Sequence, residues 1–168
     1  MKFTACIFAR DGSKGLPGKN IKYFNGKPLI GWSIYQAKKT KHINKVIVST
    51  DSQEIANVAI EYGAEVPFLR PKKLATDKSP EWHSWKHLVN YLKTINELPE
   101  ALVSVPATSP LRSYNDIENC INKYIEGGFD SIVTGTQSKR SPYFNMVKKN
   151  KDGSCSILDR KFNKTIYN

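Results

Sequence analysis

The chain has 168 residues, a net charge of +11 and a hydrophobic share of 39%. Its length suits one domain with a buried core, so we expect a single domain over residues 1–168. No apolar run approaches the roughly 18 residues of a membrane span, and Arg10-Asp11 interrupts the first apolar run too early for a signal peptide. We therefore expect a cytoplasmic protein that does not bind membranes.

The positive charge comes mainly from lysines that are scattered along the chain. Two interpretations stay open, a composition bias on solvated surfaces and a field that attracts acidic small molecules. The sequence has no recognition-helix, RNP-type or zinc-finger pattern, so we do not expect a nucleic acid as a partner.

Apolar runs alternate with amphipathic segments along the chain, in the order typical of an α/β protein. The pattern predicts strands at 3–8, 45–50, 65–68, 101–105 and 131–134. It predicts helices at 28–39, 52–63, 81–96 and 113–125, with Ser52 and Ser113 as N-caps. Asp152-Gly153 lies between two further apolar runs and predicts a C-terminal β-hairpin. The predicted fold is α/β, with a doubly wound, mostly parallel sheet and this hairpin.

The segment after the first predicted strand has the composition of a phosphate-binding loop. Residues 9–20 read ARDGSKGLPGKN, a segment that contains three glycines and the cations Arg10, Lys14 and Lys19. Glycine lets a backbone approach a ligand closely, and fanned N–H groups beside cations suit a polyphosphate. The spacing fits neither the Walker A motif nor the dinucleotide fingerprint, and a merely flexible connection is the alternative.

Ligands of parallel α/β sheets bind beyond the carboxyl ends of the strands. Polar, Pro-rich or Gly-rich loops follow each of the other predicted strands, at 49–51, 70–81, 106–112 and 136–143. The sequence therefore predicts one binding site built from five loops.

Residues 9–20 resemble the signature of the acylneuraminate cytidylyltransferases, also called CMP-sialic acid synthetases. The segments at 26–30, 48–51, 62–77 and 108–112 match that family in the same order. The resemblance implies a Rossmann-like nucleotidyltransferase domain. It also implies an enzyme that joins CTP to an acidic nine-carbon sugar and releases pyrophosphate, with Mg²⁺ or another divalent metal as cofactor.

The resemblance also implies roles for individual residues. The catalytic cations would be Arg10, Lys14 and Lys19. The nucleotide would contact Ala9, Arg10, Gly12, Ser13, Lys14, Gly15, Lys19, Asn20, Arg70 and Ser79. The sugar would contact Thr108, Ser109, Arg112, Tyr143 and Asn145. For Arg70 a structural charge between two prolines stays open, and for Arg112 a surface role beside a helix.

Two departures from the family pattern affect these expectations. At 105–112 the chain reads VPATSPLR and lacks the Gln that many sialic acid members place before their TSPLR run, and 140–145 resembles relatives that act on legionaminic-type acids. We therefore expect a sugar other than N-acetylneuraminate.

The second departure is that family members continue beyond this pattern with an acidic metal-binding pair and dimer contacts. We therefore expect a C-terminally truncated chain whose metal ligands stay unassigned and whose full-length form is a homodimer. The alternatives are a CMP-Kdo-type synthetase and a nucleotide-binding module without full activity.

Overall fold

The computed structural model describes residues 1–135 and 147–157. Their contacts group into two units, one over Met1–Ile132 and a second that begins at Val133. The single domain over residues 1–168 stays a prediction. No helix within the described ranges is long and apolar enough to cross a bilayer.

The first unit alternates strands with helices. Its elements in chain order are β1 (Phe3–Ala9), β2 (Tyr23–Phe24), β3 (Lys27–Pro28), α1 (Leu29–Lys39), β4 (Ile43–Thr50), α2 (Gln53–Glu61), α3 (Glu81–Thr94), β5 (Ala101–Ser104) and α4 (Tyr114–Ile125). Short 3-10 turns lie at Lys19–Ile21 and Lys72–Leu74. The second unit contains the predicted antiparallel hairpin, formed by β6 (Val147–Lys149) and β7 (Cys155–Ile157).

A parallel sheet of order β4-β1-β5 forms the centre of the first unit. β1 pairs with β4 along its whole length and ends with Ala9 opposite Thr50. β5 pairs with the first half of β1, from Phe3 opposite Ala101 to Cys6 opposite Ser104. The carboxyl ends of β1 and β4 therefore lie side by side, and the loops that follow them begin at one edge of the sheet.

Helices cover both faces of this sheet. On the face that carries Ile7, helices α1, α2 and α4 pack around a core that includes Ile34. On the opposite face, which carries Cys6, α3 contributes Leu88 and Leu92. Neighbouring strand residues point to opposite faces, so a central strand covered on both sides is largely apolar, as β1 is apart from Thr4. The predicted parallel sheet with helices is confirmed.

Both predicted N-caps are confirmed. The Ser52 hydroxyl accepts a hydrogen bond from the Ile55 N–H at 3.4 Å. Ser113 and Asp116 form a reciprocal capping box, in which each side chain accepts from the other residue's N–H. These caps fix where α2 and α4 begin, and so fix the lengths of the loops that precede them.

Two of the predicted strands are wrong. Residues 65–68 form no strand, and the segment touches β4 only through isolated parallel bridges, Glu65 with Ile47 and Leu69 with Thr50. Pro67 between these bridges has no N–H to donate to a ladder, which explains the interruption. Residues 131–134 have no regular secondary structure. Val133 is 87% exposed, so its apolar side chain is not buried as a core strand would require.

The sequence interpretation missed the small β2–β3 hairpin. Its turn residues Asn25 and Gly26 have φ values of 47° and 83°, which is the positive-φ pair that a two-residue hairpin turn requires. The Asn-Gly dipeptide is the usual signal for such a turn. The hairpin is fastened to α1 by the Trp32 Nε1–H, which donates to the Phe24 carbonyl at 2.7 Å.

We expect Leu88→Ala to lower the free energy of unfolding by about 2–5 kcal/mol, because Leu88 is fully buried between α3 and the sheet. Urea denaturation of the chain measures the loss. Leu98→Ala is the matched control, since Leu98 is 49% exposed and its truncation should change stability by no more than about 0.5 kcal/mol. Equal losses for both variants would show that α3 does not hold this core.

Candidate nucleotide-binding site

Three loops meet at the carboxyl edge where β1 and β4 end. The loop after β1 is linked to β4 by the Asp11 N–H, which donates to Asp51 Oδ1 at 3.2 Å. The segment that starts at residue 70 is linked to β4 by the Arg70 N–H, which donates to the Thr50 carbonyl at 2.7 Å. The predicted convergence of the loops at 9–20, 49–51 and 70–81 is therefore present in the structure.

Asn20 closes the first loop on itself. Its side chain is buried and its Nδ2 donates to the Arg10 carbonyl at 2.9 Å. Gly18 precedes the 3-10 turn with a φ of 63°, a left-handed conformation that favours glycine. Asn20 therefore holds the two ends of the loop together, and its contact with a nucleotide stays a prediction.

The other two loop glycines serve a different purpose from Gly18. Neither Gly12 nor Gly15 has a positive φ, and a Cβ at either position would meet nothing within 4 Å. The protein's own packing does not require glycine at either position. What the missing side chains provide is open space at the exposed surface of the loop, where a ligand could approach the backbone.

Arg10 and Lys14 both pair with Asp77, which lies on the loop at 70–81. Arg10 Nη2 lies 2.7 Å from Asp77 Oδ1, and Lys14 Nζ lies 2.6 Å from Oδ2. The hydrogen bond from Lys14 and, after it, that from Arg10 hold the pKa of Asp77 below its ordinary value. Asp77 thus bridges two of the predicted catalytic cations. Lys19, the third, forms no ion pair within the described part of the chain.

Arg70 is a buried cation beside the same loops, only 5% exposed. Its Nη1 donates to the Ser84 hydroxyl on α3 at 3.0 Å. Burial lowers the pKa of the guanidinium, while the charges of Asp51 and Glu81 act in the opposite direction. Arg70 is therefore fixed in position by the fold, and its role as a nucleotide contact stays a prediction.

Several buried polar atoms at this edge have no hydrogen-bond partner among residues 1–135 and 147–157. They include the hydroxyls of Ser13 and Ser79 and the Nε of Arg70. Buried polar groups in folded proteins are nearly always paired, so unpaired ones call for an explanation such as a missing ligand. All three atoms belong to residues that the sequence predicted as nucleotide contacts.

The loop after β5 is tied to α1. Arg112 Nη2 donates to Ser33 Oγ at 3.3 Å, Gln36 Oε1 at 3.1 Å and the Pro106 carbonyl at 3.4 Å. Gln36 Nε2 in turn donates to the carbonyls of Pro110, at 2.9 Å, and of Arg112. Burial lowers the pKa of Arg112. This network fixes Arg112 against α1, and both roles left open for it, a sugar contact and a surface role beside a helix, stay predictions.

The remaining predicted sugar contacts are less defined. Thr108 and Ser109 are exposed on the same loop. Tyr143 and Asn145 lie outside the described residues, as does the whole of the predicted loop at 136–143. The sugar contacts of all these residues, Arg112 included, stay predictions.

The described residues do not make a metal site on their own. No group of three or more His, Cys, Asp or Glu side chains that could hold a metal ion occurs at positions 1–135 or 147–157. Mg²⁺ is commonly bound by only one or two carboxylates together with water and substrate phosphates, so the expected cofactor stays a prediction with unassigned ligands.

Asp77 is the site residue that the sequence reasoning missed. Its segment, LATD at 74–77, was part of the family resemblance but was given no role. An acidic residue in a loop beside a cationic loop was a usable signal, because opposite charges at one sheet edge attract each other.

A parallel α/β sheet with cations and unpaired buried polar atoms at its carboxyl edge has the arrangement in which doubly wound α/β proteins bind their ligands. A family model for cytidylyltransferases matches residues 4–157. The chain therefore belongs to the cytidylyltransferase family.

Curated relatives agree with this assignment. The chain is 40% identical over 121 residues to a CMP-N,N'-diacetyllegionaminic acid synthase of Legionella pneumophila, covering 72% of this chain and 52% of that protein. It is 34% identical over 137 residues to a pseudaminic acid cytidylyltransferase of Campylobacter jejuni, covering 82% of this chain and 59% of that protein. The chain thus spans between half and three-fifths of these relatives' lengths.

The fold matches that of a solved CMP:2-keto-3-deoxy-manno-octonic acid synthetase complexed with CTP. The TM-score is 0.61 at 21% identity, over 75% of this chain and 48% of that one. At this identity the match shows a shared nucleotidyltransferase fold.

We expect Gln36→Ala to lower the free energy of unfolding by about 1–3 kcal/mol, because it leaves two carbonyls and the Arg112 guanidinium without their buried partner. The matched control is Gln53→Ala on α2, whose exposed side chain bonds only the Asn57 side chain. Urea denaturation gives both values. A Gln36 variant as stable as the Gln53 variant would contradict the network described for Arg112.

Proposed function

We propose that this chain forms the nucleotide-binding part of a cytidylyltransferase that activates a nonulosonic acid for glycoconjugate synthesis. The observation that carries the proposal is the set of cations at the carboxyl edge of β1 and β4, where Arg10, Lys14 and Arg70 meet. The family membership and the names of the relatives support CTP as the nucleotide and an acidic nine-carbon sugar as the acceptor.

The proposed reaction is a displacement at the α-phosphorus of CTP. The anomeric oxygen of the sugar forms a bond to that phosphorus, while the bond from the phosphorus to the oxygen leading to the β-phosphate breaks. Pyrophosphate leaves with the electron pair of the broken bond, and the hydroxyl proton is released. Such transfers depend on positioning and on neutralising charge on the phosphate oxygens.

The residues of this chain would supply the neutralising charge. Arg10, Lys14 and Lys19 would bind the triphosphate, and the unpaired Ser13 hydroxyl would donate a hydrogen bond to it. Arg70 is held rigidly by Ser84 and would contribute a fixed positive charge without reorganising. Preorganised charges of this kind are most effective away from water, and Arg70 is buried.

The proposed sugar is a legionaminic-type acid. The run at 140–145 and the absence of the family's Gln before TSPLR motivate this choice. The pseudaminic acid relative at 34% identity keeps a second bacterial nine-carbon acid in consideration. The cytoplasmic location and the homodimer of the full-length form stay predictions.

We expect the chain to bind CTP, and Lys19→Ala to weaken that binding by about tenfold or more through loss of a charged contact to phosphate. The matched control is Lys22→Ala, which removes an exposed lysine three residues further on and should leave the affinity near wild type. Isothermal titration calorimetry measures both. Absence of CTP binding by the wild-type chain would contradict the proposal.

We expect pyrophosphate release to require CTP and sugar together, and to be fastest with legionaminic-type acids. A coupled pyrophosphate assay across N,N'-diacetyllegionaminate, pseudaminate, N-acetylneuraminate and Kdo tests this order. A clear preference for N-acetylneuraminate would refute the sugar assignment. CTP binding with no pyrophosphate from any sugar would favour the nucleotide-binding module instead.

A further inference from the structure

The side chains of Arg10 and Lys14 are already paired with a carboxylate in the structure. Each is in an ion pair with one carboxylate oxygen of Asp77, at 2.7 Å and 2.6 Å. Both oxygens of the carboxylate are therefore engaged by cations, and both cations come from the loop after β1. Asp77 itself belongs to the separate loop between Arg70 and α3.

A carboxylate and a phosphate use the same donors. Both bind guanidinium and ammonium groups through negatively charged oxygens at short distances, so one excludes the other from a given N–H group. If a phosphate bonds to the groups that Asp77 now occupies, the carboxylate must first leave them. An aspartate carboxyl is charged at neutral pH, and the paired cations lower the pKa of Asp77 further, so the carboxylate stays in competition there.

We propose that Asp77 is an affinity-determining residue of this site, an internal competitor whose carboxylate must be displaced from Arg10 and Lys14 before a polyphosphate binds there. The inference rests on the proposed function only in taking the ligand to be a nucleoside triphosphate. Its physical content is competition between a carboxylate and phosphate oxygens for two named cations.

How easily Asp77 is displaced depends on the solvent exposure of the ion pairs and on the charge of the ligand. The Lys14 side chain is 84% exposed, and those of Arg10 and Asp77 are 35% and 38% exposed, so solvent weakens both ion pairs. A ligand with several negative charges can replace them, whereas a ligand with one charge gains less from the exchange. Displacing Asp77 also breaks the link between the loop at 9–20 and the loop at 70–81. Ser13 and Ser79, whose buried hydroxyls are unpaired, lie on these two loops.

The experiment compares the affinity of inorganic tripolyphosphate and of CTP for three variants by isothermal titration calorimetry. We expect Asp77→Asn, which removes the carboxylate charge, to bind tripolyphosphate about three- to tenfold more tightly than wild type. Asp11→Asn is the charge-matched control, since it removes one negative charge from the same edge and Asp11 takes part in no ion pair with another described residue. Asp77→Glu keeps the carboxylate and should bind like wild type.

The outcomes separate the two proposals. A gain for Asp77→Asn clearly larger than for Asp11→Asn supports the competitor role, even if CTP does not bind and the cytidylyltransferase proposal fails. Equal gains for the two Asn variants mean that only the general field has changed, and they overturn the competitor role even if CTP binds and is turned over. Weaker binding by Asp77→Asn also overturns it, because it would show that Asp77 organises the cations for the ligand.

Discussion

The candidate site depends on the full-length parallel pairing of β1 with β4. Because Ala9 lies opposite Thr50, the cationic loop and the loop that carries Asp51 start at neighbouring points of one edge. The segment from Arg70 onward is added to the same edge by its hydrogen bond to the Thr50 carbonyl. A shift of this pairing by one residue would exchange the side chains that β1 directs to its two covered faces and would misalign the loops.

This edge concentrates positive charge, and the fold accommodates the charge in two ways. Near solvent, the fold sets Asp77 against Arg10 and Lys14, where water screens the pairs. In the interior, Arg70 donates to a neutral hydroxyl on α3. The free-energy cost of burying its charge lowers the pKa of the guanidinium. A site of this kind is attractive to polyanions because part of its positive charge is buried, where solvent screens it less.

Local sequence signals predicted much of this fold. The Ser52 and Ser113 caps and the Asp-Gly hairpin correspond to observed elements, since each depends on neighbours close in sequence. The apolar run of β1 also corresponds to an observed strand. The predicted strands at 65–68 and 131–134 were wrong because strand formation needs a partner as well as apolar residues, and partners are distant in sequence. Pro67 is the clearest example, since an apolar run that contains a proline cannot donate every hydrogen bond of a strand ladder.

The same distinction applies to the site. The sequence predicted that one contiguous loop with glycines and cations follows the first strand at the carboxyl edge of the sheet, and the loop lies there. The pairing of Asp77 with that loop spans more than 60 residues of chain, and the buried partner of Arg70 lies on another helix, so neither was visible in a local pattern. For Arg112 the sequence left two roles open, and the contacts with Ser33 and Gln36 could be found only from α1 packing against the loop.

The two sides of the site also differ in how easily they can rearrange, because the Gln36 network holds one of them against α1. Moving the loop at 106–112 away from α1 would leave several buried donors and acceptors unpaired, whereas separating Asp77 from the loop at 9–20 breaks two solvent-screened ion pairs. Local opening is therefore easier between Asp77 and that loop. If the proposed triphosphate binds there, it would adjust this side of the site, whereas the loop at 106–112 would keep the shape that was set when the chain folded.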